Sequence, residues 1–179
     1  MNIGLILAAG LDPRFQMNIP KQFVIVDNRP IIVYTLQAFQ NHPEIDQVIV
    51  SCLPGCQEMV RAYAKQFNIT KLETIVEGGA DGQESSWRGI QWLAKHYRPE
   101  DTVVVHDAIR PLVSADLITD SIRTCRRKGM GVAAVQSTDT VMMTQDGCTG
   151  TESISRFAIR RIQTPQSYRL DYLERMHKE

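Results

Sequence analysis

Five short apolar runs, set at intervals and separated by amphipathic segments, constrain this chain more than any other feature. They cover residues 3–9 (IGLILAA), 47–52 (QVIVSC), 72–77 (LETIVE), 102–107 (TVVVHD) and 131–136 (GVAAVQ). Most lack the alternation of apolar and polar residues that a half-exposed strand needs, so they read as strands covered on both faces. Between them, residues 30–39, 57–67, 84–96 and 115–127 carry helical periodicity. In 84–96, Trp87, Ile90, Gln91 and Ala94 share one face, with Arg88 and Lys95 elsewhere. Ser114 stands where a helix N-cap belongs, ahead of Leu117 and Ile118. Strands alternating with helices predict a three-layer α/β/α fold with a mostly parallel central sheet. Such sheets bind ligands beyond the carboxyl ends of their strands. That rule selects the loops after the first, third and fourth runs.

The chain has 179 residues, within the size of one domain with one sizeable core. Twenty basic residues balance twenty acidic ones, so no net field draws the chain to nucleic acid. No apolar stretch has membrane-spanning length, and no basic segment precedes a cleavable apolar one. These features predict a cytoplasmic protein with no nucleic-acid or membrane partner. The cysteines, Cys52, Cys56, Cys125 and Cys148, are scattered and the four histidines do not cluster near them. Reduced, partly buried thiols are the expectation, rather than a zinc site.

After Gln136 the pattern changes. Residues 137–168 hold short extended pieces, and within them 137–160 carry turn signals at Asp146-Gly147 and Gly150. They predict a protruding β-arm, with 140–144 paired to 152–155. So little apolar content cannot form a core alone, which makes a second subunit a candidate partner. The last residues, YRLDYLERMHKE, read as the start of a helix.

Three loops carry chemistry. In LAAGLDPRFQMNIPKQF, Ala8, Ala9 and Gly10 remove side chains from the strand end, opening the backbone to another molecule. Arg14 offers a planar fork of donors and Lys21 a compact charge whose swing Pro20 limits. This is not a P-loop, because Gln22 follows the lysine, nor a dinucleotide fingerprint, because only Gly10 is present. Taken singly, either cation is equally an ordinary solvated side chain. VVVHDAIRP delivers Asp107 off a buried strand into the crevice, where a carboxylate can hold Mg2+ against phosphate oxygens. A loop-fixing aspartate is the alternative. Arg110 can orient that carboxylate or meet a phosphate, and His106 reads as a packing residue. In EGGADGQESSW, Gly78 and Gly79 with Ser85 or Ser86 suit contact with a base edge, although the same residues make a common turn.

LAAG, R, PKQF, GG with S, VHDAIRP and QTPQSY stand here in the order found in the IspD-like cytidylyltransferases, which the chain resembles from Ile3 to about Tyr168. That family includes methylerythritol-phosphate and ribitol-phosphate cytidylyltransferases. The resemblance implies a nucleotidyltransferase fold and Mg2+-dependent transfer of CMP from CTP to a sugar-alcohol phosphate, with release of pyrophosphate. It implies that Arg14 and Lys21 are catalytic, stabilising charge on the triphosphate. Ala8, Ala9, Gly10, Gly79 and Ser85 would hold the nucleotide, and Asp107 the metal. Arg110, Thr140, Arg156 and Thr164 would bind the acceptor, and the arm would cross to a second subunit to give a homodimer. A non-catalytic CTP-binding or dimerisation module, or another sugar-phosphate nucleotidyltransferase, is the alternative. Three features depart from the family pattern. Asp12 replaces a glycine of the first turn, and Gly82 stands where an arginine is common. The family also continues with a strand and helix bearing a lysine, which these residues do not include. The unfinished helix favours a longer chain over a shortened homologue. Val141 and Met142, in place of the lysine typical of the isoprenoid enzyme, tilt the acceptor toward other polyol phosphates.

Overall fold

The computed structural model describes residues 1–10 and 19–178. In chain order its elements are β1 (Asn2–Ala8), a 3-10 turn (Lys21–Phe23), β2 (Ile25–Val26), β3 (Arg29–Pro30) and α1 (Ile31–Asn41). There follow β4 (Gln47–Cys52), α2 (Gln57–Gln66), β5 (Leu72–Glu77), α3 (Gly82–His96), β6 (Thr102–Asp107) and α4 (Ala115–Lys128). The remainder is β7 (Met130–Gln136), β8 (Val141–Thr144), β9 (Gly150–Ile154), β10 (Arg160–Arg169) and α5 (Leu170–Lys178).

Six strands form one sheet in the order β5-β4-β1-β6-β10-β7. β1 pairs in parallel with β4 and β6, and β4 with β5. Period-two geometry sends alternate side chains of each strand to opposite faces, so both faces acquire a core. On one face Ile6, Ala8, Val48 and Val50 pack with Ile32, Val33, Leu36 and Phe39 of α1, Val60 of α2, and Ile118 and Ile122 of α4. On the other, Ile3, Leu5, Ile49, Val103 and Val105 meet Ile90 and Leu93 of α3 and Leu170 and Leu173 of α5. Each fully buried Leu, Ile or Phe contributes about 1.5–3 kcal/mol by leaving water. The three layers expected from the sequence are therefore present.

Helix starts follow their caps. Asp81 Oδ1 accepts from the Glu84 N–H at 2.8 Å, so α3 begins two residues ahead of the expected Glu84. Ser114 Oγ accepts from the Leu117 N–H at 3.2 Å, and α4 closes on Gly129, whose φ of 91° is left-handed. No helix among the described residues is long and apolar enough to cross a membrane.

The main departure from expectation is β10. The sequence there reads as short extended pieces, because Arg160, Arg161, Gln163, Thr164 and Gln166 hide any apolar period. In the structure it is a ten-residue strand lying antiparallel between β6 and β7, with an irregularity between Ile162 and Gln166 at Pro165. It displaces β7 to the sheet edge. Its inner half is held by polar packing: the Ser167 hydroxyl meets Ser121 Oγ at 2.6 Å, and Ser121 donates to the Gly131 carbonyl at 2.9 Å. The arm is a separate two-stranded sheet of β8 and β9, running Val141↔Ile154 to Thr144↔Gly150. Its pairing partner begins two residues earlier than expected, at Gly150. Asp146 fastens the turn, accepting from the Thr149 N–H and hydroxyl, the Cys148 N–H and the Thr144 hydroxyl, which holds its carboxyl far below the usual range.

β7 and α4 touch at Gly131, where a Cβ would lie 2.1 Å from the backbone oxygen of Ser121. The obstacle is helix backbone, which cannot swing aside. Gly131→Ala is expected to cost about 1–3 kcal/mol, measured as a lower urea midpoint with unchanged slope.

Candidate functional site

Parallel pairing brings the carboxyl ends of four strands to one edge of the sheet. Ala8 lies opposite Cys52, Leu7 opposite Asp107, and Cys52 opposite Glu77. The loops that follow therefore meet over the end of β1. A cavity of about 230 Å3 opens there, lined by Ala8, Gly10, Lys21, Gln22, Gly82 and Asp107 together with Leu7 and Ile109. A larger cleft, of about 310 Å3, lies beside Lys128, Arg169 and Tyr172. It sits at the opposite edge, because Arg169 pairs with Thr102 at the start of β6. Cavity size and chemistry thus disagree, and the position at the strand ends decides for the smaller one.

Lys21 is aimed by its neighbours. Phe23 is buried in the core beside α1 and α2, 6.4 Å from the Tyr63 ring. Gln22 is also buried, and its Nε2 donates to the Ala8 carbonyl at 2.6 Å. These anchors leave Lys21 half-buried on the cavity wall. In the sequence Gln22 serves only to exclude a P-loop and to complete PKQF, and has no role of its own, since a buried glutamine gives no signal beyond its polarity. Arg14 and Asp12 lie outside the described residues.

Asp107, Arg110 and Thr164 come together across β6 and β10. The Asp107 N–H donates to Thr164 Oγ1 at 3.2 Å, and Arg110 Nε donates to Asp107 Oδ2 at 2.7 Å. Arg110 Nη1 also donates to Gln163 Oε1, a partner the sequence did not suggest. The intervening turn is pinned to the body: the Ala108 N–H donates to the Leu7 carbonyl at 2.9 Å, and the Thr35 hydroxyl to the Ala108 carbonyl at 2.8 Å. His106 is fully buried, its ring centroid 5.4 Å from that of Phe39, with Nε2 3.0 Å from the Arg110 carbonyl. Burial pushes its pKa down, favouring the neutral ring.

The loop after β5 is organised by its own polar groups. Ser85 is buried; its hydroxyl accepts from the Gly79 N–H at 3.0 Å and donates to the Asp81 carbonyl at 2.6 Å. Glu84 reaches back to the Ala80 N–H at 2.7 Å and pairs with Arg88, which also donates to the Gly78 carbonyl at 3.0 Å. The Ala80 N–H, then Arg88, lower the Glu84 pKa. A Cβ on Gly78 would lie 2.3 Å from the Ala9 Cβ, so this glycine lets the loop close against β1. Gly79 and Ser85 do not line the cavity, which Gly82 reaches from the start of α3, and the Ser85 proton is committed to the loop. Thr140 and Arg156 are exposed at the base of the arm and do not line the cavity of their own chain.

The fold and site define an α/β protein with a cavity at the carboxyl edge of its parallel strands, lined by a lysine and a carboxylate. The chain belongs to the 2-C-methyl-D-erythritol 4-phosphate cytidylyltransferase (IspD) family, whose model matches residues 3–179. It is 36% identical to a ribitol-5-phosphate cytidylyltransferase of Lacticaseibacillus paracasei, covering all of this chain and 76% of the relative. It is 30% identical to a 2-C-methyl-D-erythritol 4-phosphate cytidylyltransferase of Clostridium botulinum, over 99% of this chain and 76% of that one. The solved 2-C-methyl-D-erythritol 4-phosphate cytidylyltransferase of Thermus thermophilus superposes with a TM-score of 0.72 at 30% identity, covering 98% and 73% of the two chains.

Ser85→Ala would leave the Gly79 N–H without its acceptor. The expected result is a loss of about 1–3 kcal/mol in urea unfolding, with faster amide exchange at Gly79.

Proposed function

We propose that this protein is an enzyme that transfers CMP from CTP to a sugar-alcohol phosphate and releases pyrophosphate, with ribitol 5-phosphate as the first acceptor to test. Family membership carries the CTP-dependent transfer, and the juxtaposition of Lys21 and Asp107 across the end of β1 carries its location. The acceptor choice rests on the ribitol-5-phosphate enzyme at 36% identity and on Val141 and Met142 after Asp139-Thr140.

In this reading the cytidine lies over Ala8, Ala9 and Gly10 and against the loop of Gly79 and Ser85. With the Ser85 proton spent inside the loop, base recognition falls to backbone groups there. An oxygen of the acceptor phosphate attacks the α-phosphorus in line. A new P–O bond forms as the bond to the oxygen bridging the α- and β-phosphorus breaks, and its electron pair leaves on pyrophosphate. Lys21, and Arg14 from residues 11–18, meet the negative charge that builds on the leaving group. Arg110, fixed by Asp107 and Gln163, presents its guanidinium to the acceptor phosphate, with Thr164 alongside.

The Asp107 carboxylate suits Mg2+. Its Oδ2 is taken by Arg110 Nε, and among the described residues no three His, Cys, Asp or Glu side chains converge. A single carboxylate matches an ion whose other ligands are phosphate oxygens and water. When bound, Mg2+ would offset triphosphate charge. The arm exposes Met142, Met143 and Phe157, apolar surface suited to a second copy, whose site Thr140 and Arg156 would then complete. CTP and a polyol phosphate as substrates set the reaction in the cytoplasm.

Pyrophosphate release is measured with CTP, Mg2+ and either ribitol 5-phosphate or methylerythritol 4-phosphate. Turnover should depend on CTP and be faster with ribitol 5-phosphate. Lys21→Ala should lower kcat by about 10²–10³-fold, the scale for losing one charge-stabilising donor. Asp107→Asn should raise the Mg2+ concentration needed for half-maximal rate. CTP binding without turnover on any polyol phosphate would instead select a non-catalytic CTP-binding module.

A further inference from the structure

We infer that His106 is a positioning residue for the Asp107–Arg110 turn, donating its Nε2 proton to the Arg110 carbonyl, and we take the proposed function as the use to which that turn is put. Four bonds hold the turn apart from His106. The Asp107 and Ala108 N–H groups donate to Thr164 Oγ1 and the Leu7 carbonyl, and the Ala108 carbonyl accepts from Thr35. The Arg110 N–H closes the turn on the Asp107 carbonyl at 3.1 Å. The Arg110 carbonyl is the exit of the turn, and His106 Nε2 meets it at 3.0 Å.

That contact decides the tautomer. A carbonyl oxygen only accepts, so Nε2 must donate, leaving Nδ1 with a lone pair. Among the described residues, Nδ1 is the buried side-chain atom that finds no partner. The other tautomer would set two lone pairs against each other at Nε2 and strand an N–H at Nδ1. A leucine or phenylalanine against Phe39 would avoid the orphaned nitrogen altogether, so packing alone does not account for a histidine. The bond to Arg110 does.

The consequence falls on the side chains the turn carries. Arg110 is held at its head by Asp107 and Gln163 and at its backbone by His106. Releasing the carbonyl lets the Arg110 backbone rotate, which draws the guanidinium off Asp107 and loosens both groups together.

The test uses the full chain and the variants H106Q and H106L. A glutamine side chain can place an N–H donor near the position of Nε2, whereas leucine keeps bulk without a donor. Long-range 15N–1H spectra of the wild type should show the proton on Nε2. The Arg110 Nε–H signal should exchange slowly in the wild type and H106Q, and be lost in H106L. In pyrophosphate release, H106L should lose about 10–100-fold in kcat/KM, the scale for partners that orient ligands of a metal. The loss should fall on kcat and on the acceptor KM, more than on the CTP KM. H106Q should recover most of it. A merely structural histidine would lower the folded fraction and leave both KM values alone. A proton on Nδ1, unchanged kinetics in folded H106L, or H106Q no better than H106L would overturn the inference. If H106L does not fold, the tautomer and H106Q decide. If the wild type transfers no CMP, the proposed function fails, while the tautomer and the Arg110 signal still judge His106.

Discussion

Everything in this molecule depends on β1 being buried on both faces and paired in parallel on both edges. Asn2–Ala8 has β4 on one side and β6 on the other, and its alternate side chains feed two separate cores. A strand so placed cannot slip by one residue without exchanging its two faces. The register opposite Cys52 and Asp107 is therefore as secure as the cores themselves. The site inherits that security, since Ala8, Asp107 and the loop after β5 all hang from the ends of those strands.

The parts legible in the sequence are those written in apolar period. The runs at 47–52, 72–77 and 102–107 match their strands residue for residue, and the Ser114 cap marks its helix. What stayed hidden is held by polar groups. β10 is stabilised by ladder bonds on both edges and by Ser167 on Ser121, interactions that follow no repeat. Gln22 and Gln163 act through single long-range bonds to Ala8 and Arg110, which a linear reading cannot see. His106 was legible as a packing residue, which it is, but its bond to Arg110 depends on a turn four residues long closing back on the strand.

The loops of the site are stiffened by the same kinds of group they offer to a ligand. Ser85, Asp81, Glu84 and Arg88 spend donors and acceptors on one another and on the backbone from Gly78 to Ala80. Such a loop gives up hydrogen-bonding capacity to gain a fixed shape, which lowers the ordering cost when a ligand arrives. Lys21 sits on a turn anchored by Phe23 for the same reason. A cation on a short, anchored turn costs less to place than one on a mobile loop.

β10 joins parts of the molecule that otherwise have little in common. It leaves the arm at Arg160, meets Arg110 and Asp107 through Gln163 and Thr164, and runs directly into α5 on the far face. Ten residues thus work as a tie rod, with the arm as its handle and a helix as its anchor plate. A displacement of the hairpin would reach Gln163 along this strand, and Gln163 holds the Arg110 guanidinium. How the arm sits and how Arg110 is aligned are therefore linked through one strand.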